Sequence, residues 1–163
     1  MERQSESLCL SITPSLNRSI SKFRVLFLCV HNSARSQIAE GLLRQRAGHI
    51  VDVYSAGSEP STVNPFAIRV LQDRGIDASA QYSKSVQEFA SQPFDCVITL
   101  CDEEVCPVFP GAATRLHWGL PDPSAVQGDS EAKLEAFRET AEALETRLQE
   151  FLQTLPPQIV MSF

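Results

Sequence analysis

Apolar and polar positions along the chain follow two rhythms, and the switches between them mark out the elements. From Arg24 the run Val25-Leu26-Phe27-Leu28-Cys29-Val30 is continuously apolar and ends in the polar stretch His31 to Arg35, the pattern of a strand buried on both faces. After Ser36 the apolar residues Ile38, Ala39, Leu42, Leu43 and Ala47 recur at helical spacing, with Gly48 placed to end the helix. A second strand is expected over Ile50 to Ser55, then a helix over about 65–74, with Asn64 as cap, Pro65 in the first turn and Gly75 at the end. Ser85-Val86-Gln87-Glu88 has the form of a capping box opening a short helix. The run Phe94 to Leu100 reads as strand three and residues 114–118 as strand four. A last helix begins at Asp129, with Phe137, Ala141, Leu144, Leu148, Phe151 and Leu155 on one face.

Strands alternating with helices imply an α/β fold: a four-stranded parallel sheet with helices on both faces, in which ligands bind beyond the C-terminal ends of the strands. The length of 163 residues suits one core. Residues 1–22, rich in Ser and broken by Pro14, are expected to be a flexible extension, 23–155 a single catalytic domain and 156–163 a C-terminal tail.

Charge and composition narrow the classes. The formal net charge is -6, with no block of like charges, so general nucleic-acid binding is not expected. The longest apolar run is far short of the roughly 18 residues of a membrane span. Five cysteines, an odd number in a chain large enough for its own core, fit reduced thiols in a cytoplasm better than a secreted disulfide framework.

The chemistry concentrates in Cys29-Val30-His31-Asn32-Ser33-Ala34-Arg35-Ser36, a C-x5-R-S segment between a strand and a helix. Such a loop turns successive backbone N–H groups toward one point, the helix N-terminus adds partial positive charge, and Arg35 can grip two oxygens of a tetrahedral oxyanion. The same field stabilises a thiolate at Cys29, to which Ser36 can donate. The plainer alternative is a buried strand-end cysteine with an incidental arginine. Asp122, between Pro121 and Pro123, is suited to protonate a departing oxygen; otherwise it is an ordinary turn aspartate.

From about Arg24 to Leu152 the sequence resembles the low-molecular-weight protein tyrosine phosphatase fold, and within it the thioredoxin-coupled arsenate reductases. The resemblance is carried by Val25 to Gly41, Tyr54-Ser55-Ala56-Gly57, Val63-Asn64-Pro65, Thr99-Leu100-Cys101 and His117-Trp118-Gly119-Leu120-Pro121-Asp122-Pro123. It implies Cys29 as nucleophile, Arg35 and Ser36 as its loop partners, Asp122 as general acid, and residues Cys29 to Arg35 as the substrate cradle. It further implies a relay in which the Cys101 thiol attacks the Cys29 sulfur after arsenate is bound, releasing arsenite, and Cys106 then takes over the disulfide. Arsenate is the expected substrate and a thioredoxin or glutaredoxin-type protein the external thiol donor, with no bound cofactor and a monomeric state.

A phosphatase, the alternative enzyme, needs neither Cys101 nor Cys106. In the phosphatases of this fold aromatic residues follow the Asp-Pro pair, whereas here Ser124-Ala125 stand there. In a regular helix residues five apart have Cα atoms about 8 to 9 Å apart, beyond disulfide reach, so the Cys101–Cys106 segment must loop out. The acidic neighbours Glu103 and Glu104 disfavour nearby thiolates. A third reading makes Cys101 and Cys106, with His117, part of a zinc-binding or redox-sensing interaction protein. Cys96 reads as core and Cys9 as incidental. Ala34 leaves the cradle without a second thiol to trap Cys29. Some relatives bind potassium near the cradle, and Asn32, Glu40 and Ser55 match that site weakly; the Lys84 ammonium is expected to replace the ion beside Glu40. His31, His49 and His117 read as loop, helix-end and strand-end residues.

Overall fold

The computed structural model of the chain describes residues 22–102 and 108–160. In chain order the elements are β1 (Phe23–Cys29), α1 (Arg35–Ala47), β2 (Val51–Gly57), α2 (Pro65–Gln72), a 3-10 turn Val86–Phe89, β3 (Phe94–Thr99), β4 (Ala112–His117), a 3-10 turn Pro123–Ala125, α3 (Ser130–Gln153) and a helical turn Pro157–Val160. The strands form one sheet in the order β2-β1-β3-β4, and all three pairings are parallel, as the alternating pattern predicts.

Boundaries moved where pairing outlasted the apolar run. β2 continues past Ser55 because Ala56 and Gly57 stay in register with Leu28 and Cys29. β4 starts at Ala112, two residues before the expected start, because Phe94 pairs with it and donates its N–H to Gly111 O at 3.1 Å. The helix expected over 65–74 stops at Gln72. Gly75, at φ 77°, then lets Ile76 N–H reach back to Leu71 O at 2.9 Å, a left-handed helix end that glycine permits. Gly48 closes α1 in right-handed geometry, at φ -61°. The Ser85 pattern yields a 3-10 turn, not an α-helix, with Ser85 Oγ accepting from Gln87 N–H at 3.1 Å. The segment expected as a tail contains the turn Pro157–Val160.

The side chains of the strands divide between two cores. Val25, Phe27, Cys96 and Ile98 pack with residues of α1, α2 and the α3 stripe, including Phe137, Ala141, Leu144, Leu148 and Phe151. On the other side Leu26, Leu28 and Val97 meet Phe89, Phe94 and Phe109, whose rings stack edge to face with centroids 5.5–5.9 Å apart. The three long helices thus share one core, and the 3-10 turn at Val86–Phe89 helps to cover the other. Val25, Leu26, Phe27 and Leu28 are each 0% exposed, so β1 is clamped from both sides and its C-terminal end is a rigid platform.

Candidate active site

Cys29 is the last residue of that platform, buried and paired in register with Gly57. The chain after it bends back because its carbonyls are held from outside. Val30 O accepts from Glu59 N–H (2.8 Å), His31 O from Ser61 N–H (3.3 Å) and Ser33 O from Asn64 N–H (2.8 Å). With three carbonyls turned toward the β2–α2 connection, the loop's interior is left to its N–H groups, as an anion site requires. Asn32 takes the left-handed conformation, φ 50°, which asparagine tolerates better than most residues. Gly57 makes room for the bend: a Cβ there would stand 2.4 Å from Val30 O and 2.9 Å from Asn32 N. The first turn of α1 has no side-chain cap, since Ala34 occupies the N-cap position.

A directed chain of hydrogen bonds ends on the nucleophile. Lys84 N–H can only donate, and it donates to Asn32 Oδ1 at 2.7 Å, which fixes the orientation of the amide. Asn32 Nδ2 then donates to Ser36 Oγ at 2.8 Å and to Ser55 Oγ at 2.9 Å. Ser36 therefore has its own hydrogen available for Cys29 Sγ, 2.9 Å away. Ser55 spends its hydrogen on Glu40 Oε1. From Lys84 through Asn32 to Ser36 each hydrogen bond has a determined direction, and the last contact sets the Ser36 hydroxyl against the Cys29 sulfur.

Arg35, 4% exposed, is aligned by backbone before any substrate arrives. Its Nη1 donates to Leu120 O at 2.9 Å and to Leu100 O at 3.4 Å, while Nη2 lies 3.7 Å from Asp122 Oδ2. One guanidinium nitrogen is thus committed to backbone carbonyls and another faces the Asp122 carboxylate. Asp122 Oδ1 is held by Ser124 N–H (2.9 Å) and Ser124 Oγ (2.7 Å), which leaves Oδ2 toward the cradle.

Residues 24–160 match the family described as low molecular weight phosphotyrosine protein phosphatase. The chain belongs to that family. Arsenate reductases are among its relatives in that family. An arsenate reductase of Halalkalibacterium halodurans is 39% identical over 137 residues, 83% of this chain and 99% of the relative. A solved arsenate reductase in a phosphate-binding state superposes with a TM-score of 0.72 at 31% identity, covering 82% of this chain and 99% of its own. A thioredoxin-dependent arsenate reductase from Corynebacterium glutamicum has a TM-score of 0.64 at 29% identity, covering 94% and 74%.

Of the residues singled out in the sequence, Cys29, Asn32, Arg35, Ser36 and Asp122 converge on one sheet edge. Cys101 follows β3 at that same C-terminal edge, fully buried and disulfide-bonded, whereas Cys29 and Cys96 are both free thiols. Cys106 lies outside the described residues, as does Cys9. A zinc site would need the Cys101 sulfur, which is oxidised here. Among the described residues no cluster of His, Cys, Asp or Glu is arranged to hold a metal ion. Cys96 packs in the core, where burial pushes its thiol up to about 11, with Asp95 adding to the shift.

Lys84 sits beside Glu40, both buried, with Nζ 3.5 Å from Glu40 Oε1, 2.8 Å from Tyr82 O and 4.6 Å from the Tyr82 ring centre. Arg44 Nη2 holds the other Glu40 oxygen at 2.6 Å. Sequence reading did not find Ser124, the Gln37–Gln81 amide pair that braces Asn32 and the loop, or the Leu100 and Leu120 carbonyls that hold Arg35. The Asp-Pro-Ser order carries a turn signal for Ser124. Backbone carbonyls leave no mark in a sequence.

Proposed function

We propose that the Cys29 cradle carries out arsenate reduction through a cysteine–arsenic adduct resolved by Cys101. The chain is an enzyme of the arsenate reductase type, served by an external thiol donor; the residue roles are our reading. The cradle N–H groups and Arg35 bind the arsenate oxyanion, and the Cys29 thiolate attacks arsenic. Asp122 protonates the oxygen that leaves as water. The Cys101 sulfur then attacks Cys29 Sγ, the arsenic–sulfur bond breaks with its electron pair left on arsenic, and arsenite departs. Cys106 takes over the disulfide, and a dithiol protein of the thioredoxin or glutaredoxin type restores both thiols.

The observation that carries this reading is Cys101, a buried, disulfide-bonded cysteine at the sheet edge that holds Cys29, where phosphate-ester hydrolysis has no use for one. The test is arsenate-dependent NADPH oxidation coupled to thioredoxin and its reductase. Wild type turns over, and Cys29→Ser, Cys101→Ser and Cys106→Ser do not. Phosphatase activity in Cys101→Ser with no arsenate turnover in wild type, whether the donor is thioredoxin or glutaredoxin, overturns it.

The site expected for a monovalent cation, Asn32, Glu40 and Ser55, belongs to the same proposal. The Lys84 ammonium beside Glu40 supplies the positive charge internally, so activity is the same in sodium and potassium buffers. Strong potassium dependence of the wild type would remove this assignment.

A further inference from the structure

The relay makes a demand that the cradle does not meet: a thiol that attacks must lose its proton, and a thiolate that is released must regain one. His117 ends β4 beside β3, in register with Thr99, two residues before Cys101. Thr99 Oγ1 donates to Leu116 O at 3.4 Å and lies 2.7 Å from His117 Nδ1. Thr99 thus anchors the ring through Nδ1 and leaves Nε2 to face away from it. That nitrogen faces a gap that glycine keeps open. A Cβ on Gly119 would stand 3.1 Å from His117 Nε2 and 3.6 Å from Cys101 O, so the ring and the Cys101 backbone border the same space. Gly119 itself has φ 28°, where a side chain is strained as well as crowded. The ring is exposed on its other side, in a recess of about 280 Å³ that it shares with Thr99, Val108, Phe109 and Arg115.

We propose that His117 is the proton carrier of the Cys101 thiol. The inference rests on the arsenate reductase reading above and assigns it one more residue. In the forward step the Cys101 proton passes to Nε2 as the Cys101–Cys29 bond forms and the Cys29–arsenic bond breaks, its electron pair reducing arsenic from the +5 to the +3 state. In the return step the dithiol donor supplies two electrons and two protons. Nε2–H gives its proton to the Cys101 sulfur as that sulfur is released, which returns the ring to its neutral form, while one of the donor's protons restores the Cys106 thiol and the other passes to solvent. Of the charged groups, Arg115 on the same strand lines the recess with the ring, and Thr99 on β3 is uncharged. The ring's anchor, Thr99, lies on β3 and not on the cradle loop, so adduct formation at Cys29 does not depend on the ring.

The test compares wild type with His117→Asn, whose amide can keep the Thr99 hydrogen bond while the Nε2 position is lost, and with Thr99→Val, which keeps the ring but removes its anchor. The readouts are the pH profile of thioredoxin-coupled kcat and the rate of single-turnover arsenate consumption in the reduced Cys101→Ser background. General acid–base groups contribute on the order of 100-fold or more, so His117→Asn lowers kcat by about that factor near neutrality and removes the imidazole-dependent limb of the profile. Its consumption of arsenate in the Cys101→Ser background stays at the level of that parent. Thr99→Val lowers kcat less and shifts the limb. An unchanged kcat, or a loss that is equal at every pH, overturns the role of His117. A wild type inactive toward arsenate instead overturns the reading beneath it.

Discussion

At the scale of single residues, Ser36 shows how a neutral side chain controls a charged one. Asn32 Nδ2 occupies one side of the Ser36 oxygen, so its hydrogen points at Cys29 Sγ across 2.9 Å. Hydrogen bonds to charged groups contribute roughly 1.5–3 kcal/mol, so Ser36→Ala lowers the iodoacetamide alkylation rate of Cys29 at neutral pH by about tenfold or more. An unchanged rate would show that the thiolate is held by the loop amides alone. Cys96 is the internal contrast. Its thiol, raised from 9.0 to about 11 by burial, favours the protonated form in the folded state. The stability this contributes is complete below the unfolded value and is lost as pH rises through the folded one. Wild type therefore loses stability relative to Cys96→Ala between about pH 9 and 11, by ~3 kcal/mol at most, as urea unfolding at several pH values would measure. At neutral pH, Cys96→Ala leaves turnover unchanged.

At the scale of elements, the strand–loop–helix unit was largely legible because its parts depend on short-range rules. An apolar run, a polar loop and a 3.6-residue stripe specify β1, the cradle and α1 with little help from elsewhere. What stayed hidden depends on pairing between distant segments: the extension of β2 to Gly57, the early start of β4, and the carbonyls of Leu100 and Leu120 that align Arg35. The capping-box pattern at Ser85 misled because four residues between two anchored segments close as a 3-10 turn before an α-helix can propagate. Gly57 joins the two levels, since its place in β2 is fixed by register and its lack of a side chain by the loop beside it. In Gly57→Ala the new Cβ meets backbone at 2.4 Å, with no flexible side chain to yield. The expected cost is about 1–3 kcal/mol, together with loss of arsenate turnover as the loop is pushed off Cys29. A variant of wild-type stability that keeps full activity would show that the bend at Val30 can relax.

At the scale of the whole molecule, Lys84 couples regions that the sequence keeps far apart. Its N–H orients Asn32, its ammonium faces Glu40 of α1, and its carbonyl accepts from Gly57 N–H at 2.9 Å in β2. Burial pushes the ammonium below its ordinary value of 10.5, and Glu40 offsets part of that. A lysine whose folded value is depressed contributes stability that is present above the unfolded value and is lost as pH falls through the folded one, the opposite sense to Cys96. Removing the charge also leaves Glu40 with Arg44 as its cationic partner and the Ser55 hydroxyl, and a buried carboxylate that loses one charged partner is costly. Lys84→Met thus separates two effects. Near neutral pH the arsenate KM rises as Asn32 and the loop loosen, and potassium ion recovers part of the loss by taking the vacated place beside Glu40, whereas sodium recovers less. In urea unfolding the difference between wild type and Lys84→Met moves in favour of wild type as pH is raised from 8 toward 10.5. If that difference moves the other way, or if neither cation affects the variant, the charge on Lys84 is incidental to the cradle and the polar chain from Asn32 to Cys29 holds its geometry by hydrogen bonding alone.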